Sequence, residues 1–224
     1  MHKIIQGVRR FQETTFREQR GLFEEVGKKQ QAPVALFVTC SDSRINPNLI
    51  TSTEPGDMFL LRNAGNIIPP YGAANGGEGA TIEYAVSVLK LANIIVCGHY
   101  HCGAMHHLMR LDRLGELPAV RSWFSHAEAT RRIVQEKFRH LSPEDQEDRS
   151  IEQNVLVQID NLRTHPSVAA AVARGDLHVF GWTYRIETGE VSAYDPAAKR
   201  FRPLGEEQPP AFPCVSHDIC AGVV

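Results

Sequence analysis

Two short stretches carry groups that could do chemistry together. In "FVTCSDSRINP", residues 37–47, a thiol, a carboxylate and a guanidinium follow at two-residue spacing as Cys40, Asp42 and Arg44. In "CGHYHCGAM", residues 97–105, His99 and Cys102 stand three apart. Two thiolates and an imidazole are soft and borderline donors that suit zinc in tetrahedral geometry. Three protein ligands leave the fourth position for water, as catalytic rather than structural sites do. An Asp beside such an ion can ligate it or accept a hydrogen bond from the water bound there. Arg44, paired with that carboxylate, would keep it ionised and turned from the metal. If the chain stays extended past Cys40, residues 40, 42 and 44 point to one side.

These residues converge only if the elements carrying them are neighbours. "VALFVTC" (34–40), "DMFLLRN" (57–63) and "NIIVCGH" (93–99) are short apolar runs that read as strands buried on both faces. Between the last two, "GGEGATIEYAVSVLKLA" places Ile82, Ala85, Val86 and Leu89 at helical spacing behind a glycine-rich start. Strands alternating with helices predict right-handed crossovers and a mostly parallel sheet, an α/β fold. Ligands bind such sheets beyond the carboxyl ends of the strands, where the first run delivers Cys40 and the third delivers His99. "LHVFGWTYRI", "ETGE" and "VSAYD" read as a strand, a tight turn and an antiparallel return. The first 30 residues and the stretch from about 104 to 173 are helical in composition. "LSPEDQEDRS", polar and acidic, reads as a surface loop, and the Pro-rich chain from "RPLGEEQPPAFPC" onward as irregular.

Length and charge narrow the partners. A chain of 224 residues with 42% hydrophobic content suits one domain, 1–224. With 24 basic against 26 acidic residues and no long like-charged block, nucleic acid is not expected as a partner. The N-terminus has no apolar h-region and no run approaches a bilayer span, so no membrane is expected and the cytoplasm is the expected compartment. Five cysteines, an odd number, do not suggest a secreted disulfide framework. Cys97 is expected to be a buried inert thiol, and Cys214 and Cys220 to be free.

"CSDSR" (40–44), "RNAGNIIPPYG" (62–72), "EYAV" (83–86), "CGHYHCGAM" (97–105) and "GWTYRIETGE" (181–190) together resemble the β-class carbonic anhydrases, over about residues 30 to 195. The resemblance implies a sheet of order 2-1-3-4 plus an antiparallel fifth strand, flanked by helices. It also implies a helical dimerisation arm (1–30), a catalytic core (31–200) and an irregular tail (201–224). It implies one Zn2+ per subunit on Cys40, His99 and Cys102, with Asp42 and Arg44 as the catalytic dyad. The reaction implied is attack of zinc hydroxide on CO2, giving bicarbonate and a proton. A homodimer or a larger assembly follows from the same resemblance, and a carboxysome-like compartment is an alternative location.

Two subtypes of that family differ around the metal. In the bicarbonate-gated type, the anion occupies a noncatalytic pocket and the Asp swings onto the zinc. That pocket uses a Trp three residues before the first zinc cysteine; here the position is Phe37, although Arg62 and Tyr184 match. Loss of the indole N–H removes a donor that a buried anion needs. The open type lines its substrate pocket at positions that correspond to Gln31, Phe59, Ala64 and Tyr84, and Gly103 follows the last ligand. The open form is therefore expected, with Asp42 as fourth ligand only in an inactive form. His101, His106 and His107 are candidate proton carriers.

Overall fold

The computed structural model describes residues 1–73, 76–205 and 211–212. Three helices lead the chain, α1 (His2–Glu13), α2 (Thr15–Glu18) and α3 (Arg20–Lys28), and none of their residues is buried. They hold together through a cluster of rings, with Phe11, Phe16 and Phe23 at centroid distances of 5.4 to 6.1 Å.

The sheet follows. β1 (Ala35–Cys40) is buried at every residue, as its unbroken apolar run requires. Its one hydroxyl, on Thr39, donates to Cys97 O at 3.0 Å. The short helix α4 (Pro47–Thr51), capped by the Asn46 side chain, leads to β2 (Met58–Asn63). α5 (Gly77–Glu83) runs on into one π-helical turn, Tyr84–Val88, and turns the chain into β3 (Asn93–His99). Then come α6 (Gly103–Leu108), α7 (Pro118–Phe124), α8 (Glu128–Lys137), α9 (Pro143–Arg163) and α10 (Pro166–Ala173). β4 (His178–Tyr184), β5 (Val191–Asp195) and β6 (Arg200–Pro203) close the sheet.

Strand order is 2-1-3-4-5-6. β2, β1, β3 and β4 are parallel, β5 is antiparallel to β4, and β6 is antiparallel to β5. The expected 2-1-3-4 order and the hairpin into β5 are both present. The sixth strand was not expected, because Arg200–Pro203 runs into the Pro-rich stretch read as irregular from Arg202 onward. Its alternation suffices for an edge strand: Phe201 pairs with Tyr194 and meets its ring edge-on at 5.3 Å, and Pro203 sits at the strand end, where a missing N–H matters least.

The loop expected over "LSPEDQEDRS" is instead the start of α9. Ser142 accepts the Asp145 N–H at 3.1 Å, Pro143 takes the first helical position, and Glu144 and Asp145 fill the first turn. The polar, acidic, Pro-containing composition was capping chemistry. α9 lies closely along β3 and β4. A Cβ on Gly181 would sit 2.9 Å from Val155 Cγ1 and 3.0 Å from Ile159 Cδ1, so this approach needs a glycine. Val155, Ile159 and Leu162 join the strand residues Leu36, Val38, Ile94, Val96 and Val179 in the main core.

Candidate metal centre

Parallel pairing of β1 with β3, in the register Thr39 opposite Cys97, brings the carboxyl ends of the two strands side by side. Cys40 and His99 end those strands, and Cys102 precedes α6 by one residue. Cys40 Sγ and Cys102 Sγ are 3.9 Å apart, and the donor atoms of Cys40, His99 and Cys102 all lie within 4.8 Å of one another. All three residues are buried.

His99 Nδ1 faces Tyr100 O at 3.0 Å. A carbonyl only accepts, so Nδ1 carries the proton and Nε2 turns a free lone pair into the space it shares with the two sulfurs. Nε2 is buried without a hydrogen-bond partner among the described residues. Such an atom is costly unless something fills it. Two sulfurs on one tetrahedral zinc, at about 2.3 Å each, would stand about 3.8 Å apart, close to the spacing seen here. The donor set therefore fits a metal of the zinc type.

The thiols point the same way. Cys40 is drawn down to about 4, chiefly by the hydrogen bond from Cys102, with His99 and the Gly65 N–H (3.4 Å) adding to it and burial opposing. Cys102 is pushed above the ordinary thiol range by that same hydrogen bond, by burial and by the neighbouring charge. One thiolate forms readily, and a second needs a cation to balance it.

Asp42 does not reach the site along an extended strand, as the spacing suggested. Pairing continues for one residue, Ser41 N to Asn63 O, and a turn then closes from Ile45 N to Asp42 O at 3.0 Å. Within that turn Asp42 Oδ1 accepts the Arg44 backbone N–H at 3.0 Å and Nε–H at 2.9 Å, and Oδ2 accepts Nη2–H at 2.7 Å. Arg44 also donates to His101 O at 3.1 Å. The Arg44 hydrogen bonds hold the Asp42 carboxyl well below the usual carboxylate range, against some opposing burial. Oδ2 stands 3.8 Å from His99 Nε2.

Two residues contribute in ways that motif spacing did not show. Arg62 donates to Cys40 O at 3.1 Å and to Asp42 O at 2.9 Å, fixing the backbone of both. Gly65 has φ +83° and gives its N–H to Cys40 Sγ; a Cβ there would lie 3.0 Å from Ala104 Cβ. The glycine in "RNAGN" was the available signal.

The expected substrate-pocket residues divide into two groups. Ala64 and Gly103 adjoin the site, beside Gly65 and Cys102, and Ala64 O accepts the Trp123 indole N–H at 2.8 Å. Phe59 and Tyr84 stack on each other at 6.0 Å. Phe59 is opposite Leu36, however, four positions before Cys40, and Tyr84 and Gln31 are exposed. Of the candidate proton carriers, His106 is engaged by Glu147 at 3.0 Å and His101 lies 3.5 Å from Glu187. Cys97 is buried and its thiol is pushed up to about 12 by burial, as an inert thiol would be. Cys214 and Cys220 lie outside the described residues.

A parallel-centred sheet with Cys, His and Cys meeting at its carboxyl edge, and an Asp–Arg pair beside them, defines a metalloprotein of the β-carbonic anhydrase type. The carbonic anhydrase family model matches residues 35–191. A carbonic anhydrase of Synechocystis is 53% identical over 87% of this chain and 71% of its own length. One of Pseudomonas aeruginosa is 46% identical over 92% and 93%. The solved structure of the β-carbonic anhydrase CcaA superposes with a TM-score of 0.89 at 50% identity, covering 92% of this chain and 93% of that one. A β-carbonic anhydrase of Coccomyxa, solved with acetazolamide, gives 0.76 at 30% identity, covering 90% and 86%. The chain belongs to the carbonic anhydrase family, whose general reaction is the hydration of CO2. No described helix is long and apolar enough to cross a membrane.

Proposed function

We propose that this chain catalyses the reversible hydration of CO2 to bicarbonate and a proton, with one zinc ion per subunit held by Cys40, His99 and Cys102. The observation that carries this reading is the buried three-donor cluster with its unpartnered His99 Nε2, set beside a carboxylate that Arg44 fully engages. Bound zinc supplies the Lewis acidity that makes water a nucleophile near neutral pH. Asp42, kept unprotonated by Arg44, accepts the O–H of the attacking oxygen and so turns a lone pair towards the carbon of CO2. Because Arg44 occupies both oxygens of Asp42, the carboxylate stays off the metal, which supports the open form and leaves ligation by Asp42 to an inactive state. Phe37, fully buried and edge-on to Trp182 at 6.0 Å, supports the same reading, since it has no N–H for a buried bicarbonate.

Gln31, Phe59, Ala64, Tyr84 and Gly103 would line the path of CO2. We assign the first 30 residues to a dimerisation arm and the rest of the described chain to a single catalytic unit. The exposed apolar side chains of the arm and of Leu60, Tyr84 and Val88 support association of subunits. One of two tetrameric β-carbonic anhydrases of Sordaria macrospora superposes with a TM-score of 0.76 at 27% identity, covering 91% of this chain and 96% of that one. A cytoplasmic location, or a carboxysome-like compartment, suits such an enzyme.

The test is stopped-flow CO2 hydration by the zinc-loaded protein from neutral to mildly alkaline pH, with and without bicarbonate preincubation. Turnover that survives preincubation is expected. Absence of turnover at every pH overturns the activity, and a steep bicarbonate-dependent loss overturns the open form.

A further inference from the structure

α9 carries a row of buried polar side chains where a helix packed on a sheet would ordinarily be apolar. Asn154, Gln158, Asn161 and His165, the last just beyond the helix end, recur at spacings of four, three and four, which places them on one face. Asn154, Gln158 and His165 are buried to 1%, 0% and 5% exposure. Burying such groups is unfavourable unless every donor and acceptor is satisfied, and here the partners are mostly the backbone of one loop. Asn154 Nδ2 donates to Gly65 O at 2.9 Å. Gln158 Oε1 accepts the Ile68 N–H at 2.8 Å, and Asn161 Nδ2 donates to Ile68 O at 2.9 Å. His165 Nε2 meets Pro69 O at 3.0 Å.

The row also locks itself. Gln158 Nε2 donates to Asn154 Oδ1 at 2.9 Å, and the buried Thr130 hydroxyl of α8 donates to the same oxygen at 3.2 Å. With its oxygen taken by two donors, the Asn154 amide can only direct N–H towards Gly65 O. The loop so gripped is the one whose Gly65 N–H is given to Cys40 Sγ. Gly65 sits at φ +83°, one of several backbone conformations open to a glycine, so the hydrogen bonds around it select this one.

We propose that this amide row, centred on Asn154 and Gln158, is a positioning device for the metal centre: it fixes the 65–69 backbone so that the Gly65 N–H stays aimed at the Cys40 thiolate. The proposal rests on the zinc reading of Cys40, His99 and Cys102. Outer partners of metal ligands typically govern affinity by about 10 to 100-fold, and this row acts one bond further out through a backbone amide. Asn154→Ala should therefore speed zinc loss to a chelator by about 10-fold and shift the thiolate-to-metal charge-transfer band of the cobalt-substituted protein.

The comparison is with Leu162→Ala, a fully buried core change on the same helix that removes no side-chain hydrogen bond to the loop and no metal donor. It should lower Tm without moving the cobalt band or the zinc-loss rate. Should Asn154→Ala fail to fold, Thr130→Val removes one donor to Asn154 at similar volume and should move both readouts in the same direction by a smaller factor. If the Asn154 or Thr130 variant loses Tm as Leu162→Ala does, yet keeps the wild-type band and zinc-loss rate, the row is structural only and the proposal is overturned. A wild-type chain that binds neither zinc nor cobalt overturns the metal reading, and the positioning role with it.

Discussion

Asp42 is the residue whose chemistry depends most on a single neighbour. Its three hydrogen bonds from Arg44 keep it charged, so the pair contributes above the ordinary carboxylate pKa and is lost only as pH falls well below that value. Asp42 should therefore not titrate within the working pH range. Asp42→Asn keeps the volume, removes the charge and turns one of the two acceptor oxygens into an N–H donor. It should retain stoichiometric zinc by metal analysis while lowering kcat by about 10 to 100-fold. Cys97 illustrates the opposite case, a thiol kept inert by burial. In the native protein it should be alkylated by iodoacetamide far more slowly than Cys40 after zinc removal, as read by peptide mass mapping; equal rates would refute its burial.

The helices show how local composition can mislead about its own element. "SPEDQEDR" carries the polar residues of a loop, yet it begins α9, because capping and dipole stabilisation use the same residue types as turns. Glu128 plays the related part in the first turn of α8, where Arg131 and Arg132 bind its carboxylate and lower its pKa, the Arg131 hydrogen bond most. A depressed carboxyl stabilises above its unfolded pKa and stops doing so as pH falls through the folded value. Glu128→Gln should cost about 0.5 kcal/mol at pH about 7, since the group is partly exposed. That difference should shrink as pH falls below the ordinary Glu range and the carboxyl takes up its proton. Urea midpoints on both sides of that range measure it.

For the whole molecule, the least settled surface is the arm. Ile4, Ile5 and Val8 are exposed by 64%, 49% and 52%, a run of apolar surface that a lone subunit would leave in water. Ile5→Asp with Val8→Asp should shift sedimentation velocity towards smaller species while leaving the far-ultraviolet spectrum unchanged, and an unaltered distribution would remove the arm from the interface. Much of this protein was readable from the chain alone. The apolar runs ending in Cys40 and His99 set both the parallel sheet and the metal donors, because a strand buried on both faces must be continuously apolar and its carboxyl end is where ligands gather. The alternation in "RFRP" was too short to outweigh its proline and those that follow, so β6 emerged only from pairing with β5. Tertiary structure alone decided the Gly65 N–H on Cys40 Sγ and the loop gripped by Asn154 and Gln158. Those are hydrogen bonds between segments up to 90 residues apart, whose partners no local pattern of hydrophobicity or spacing can name.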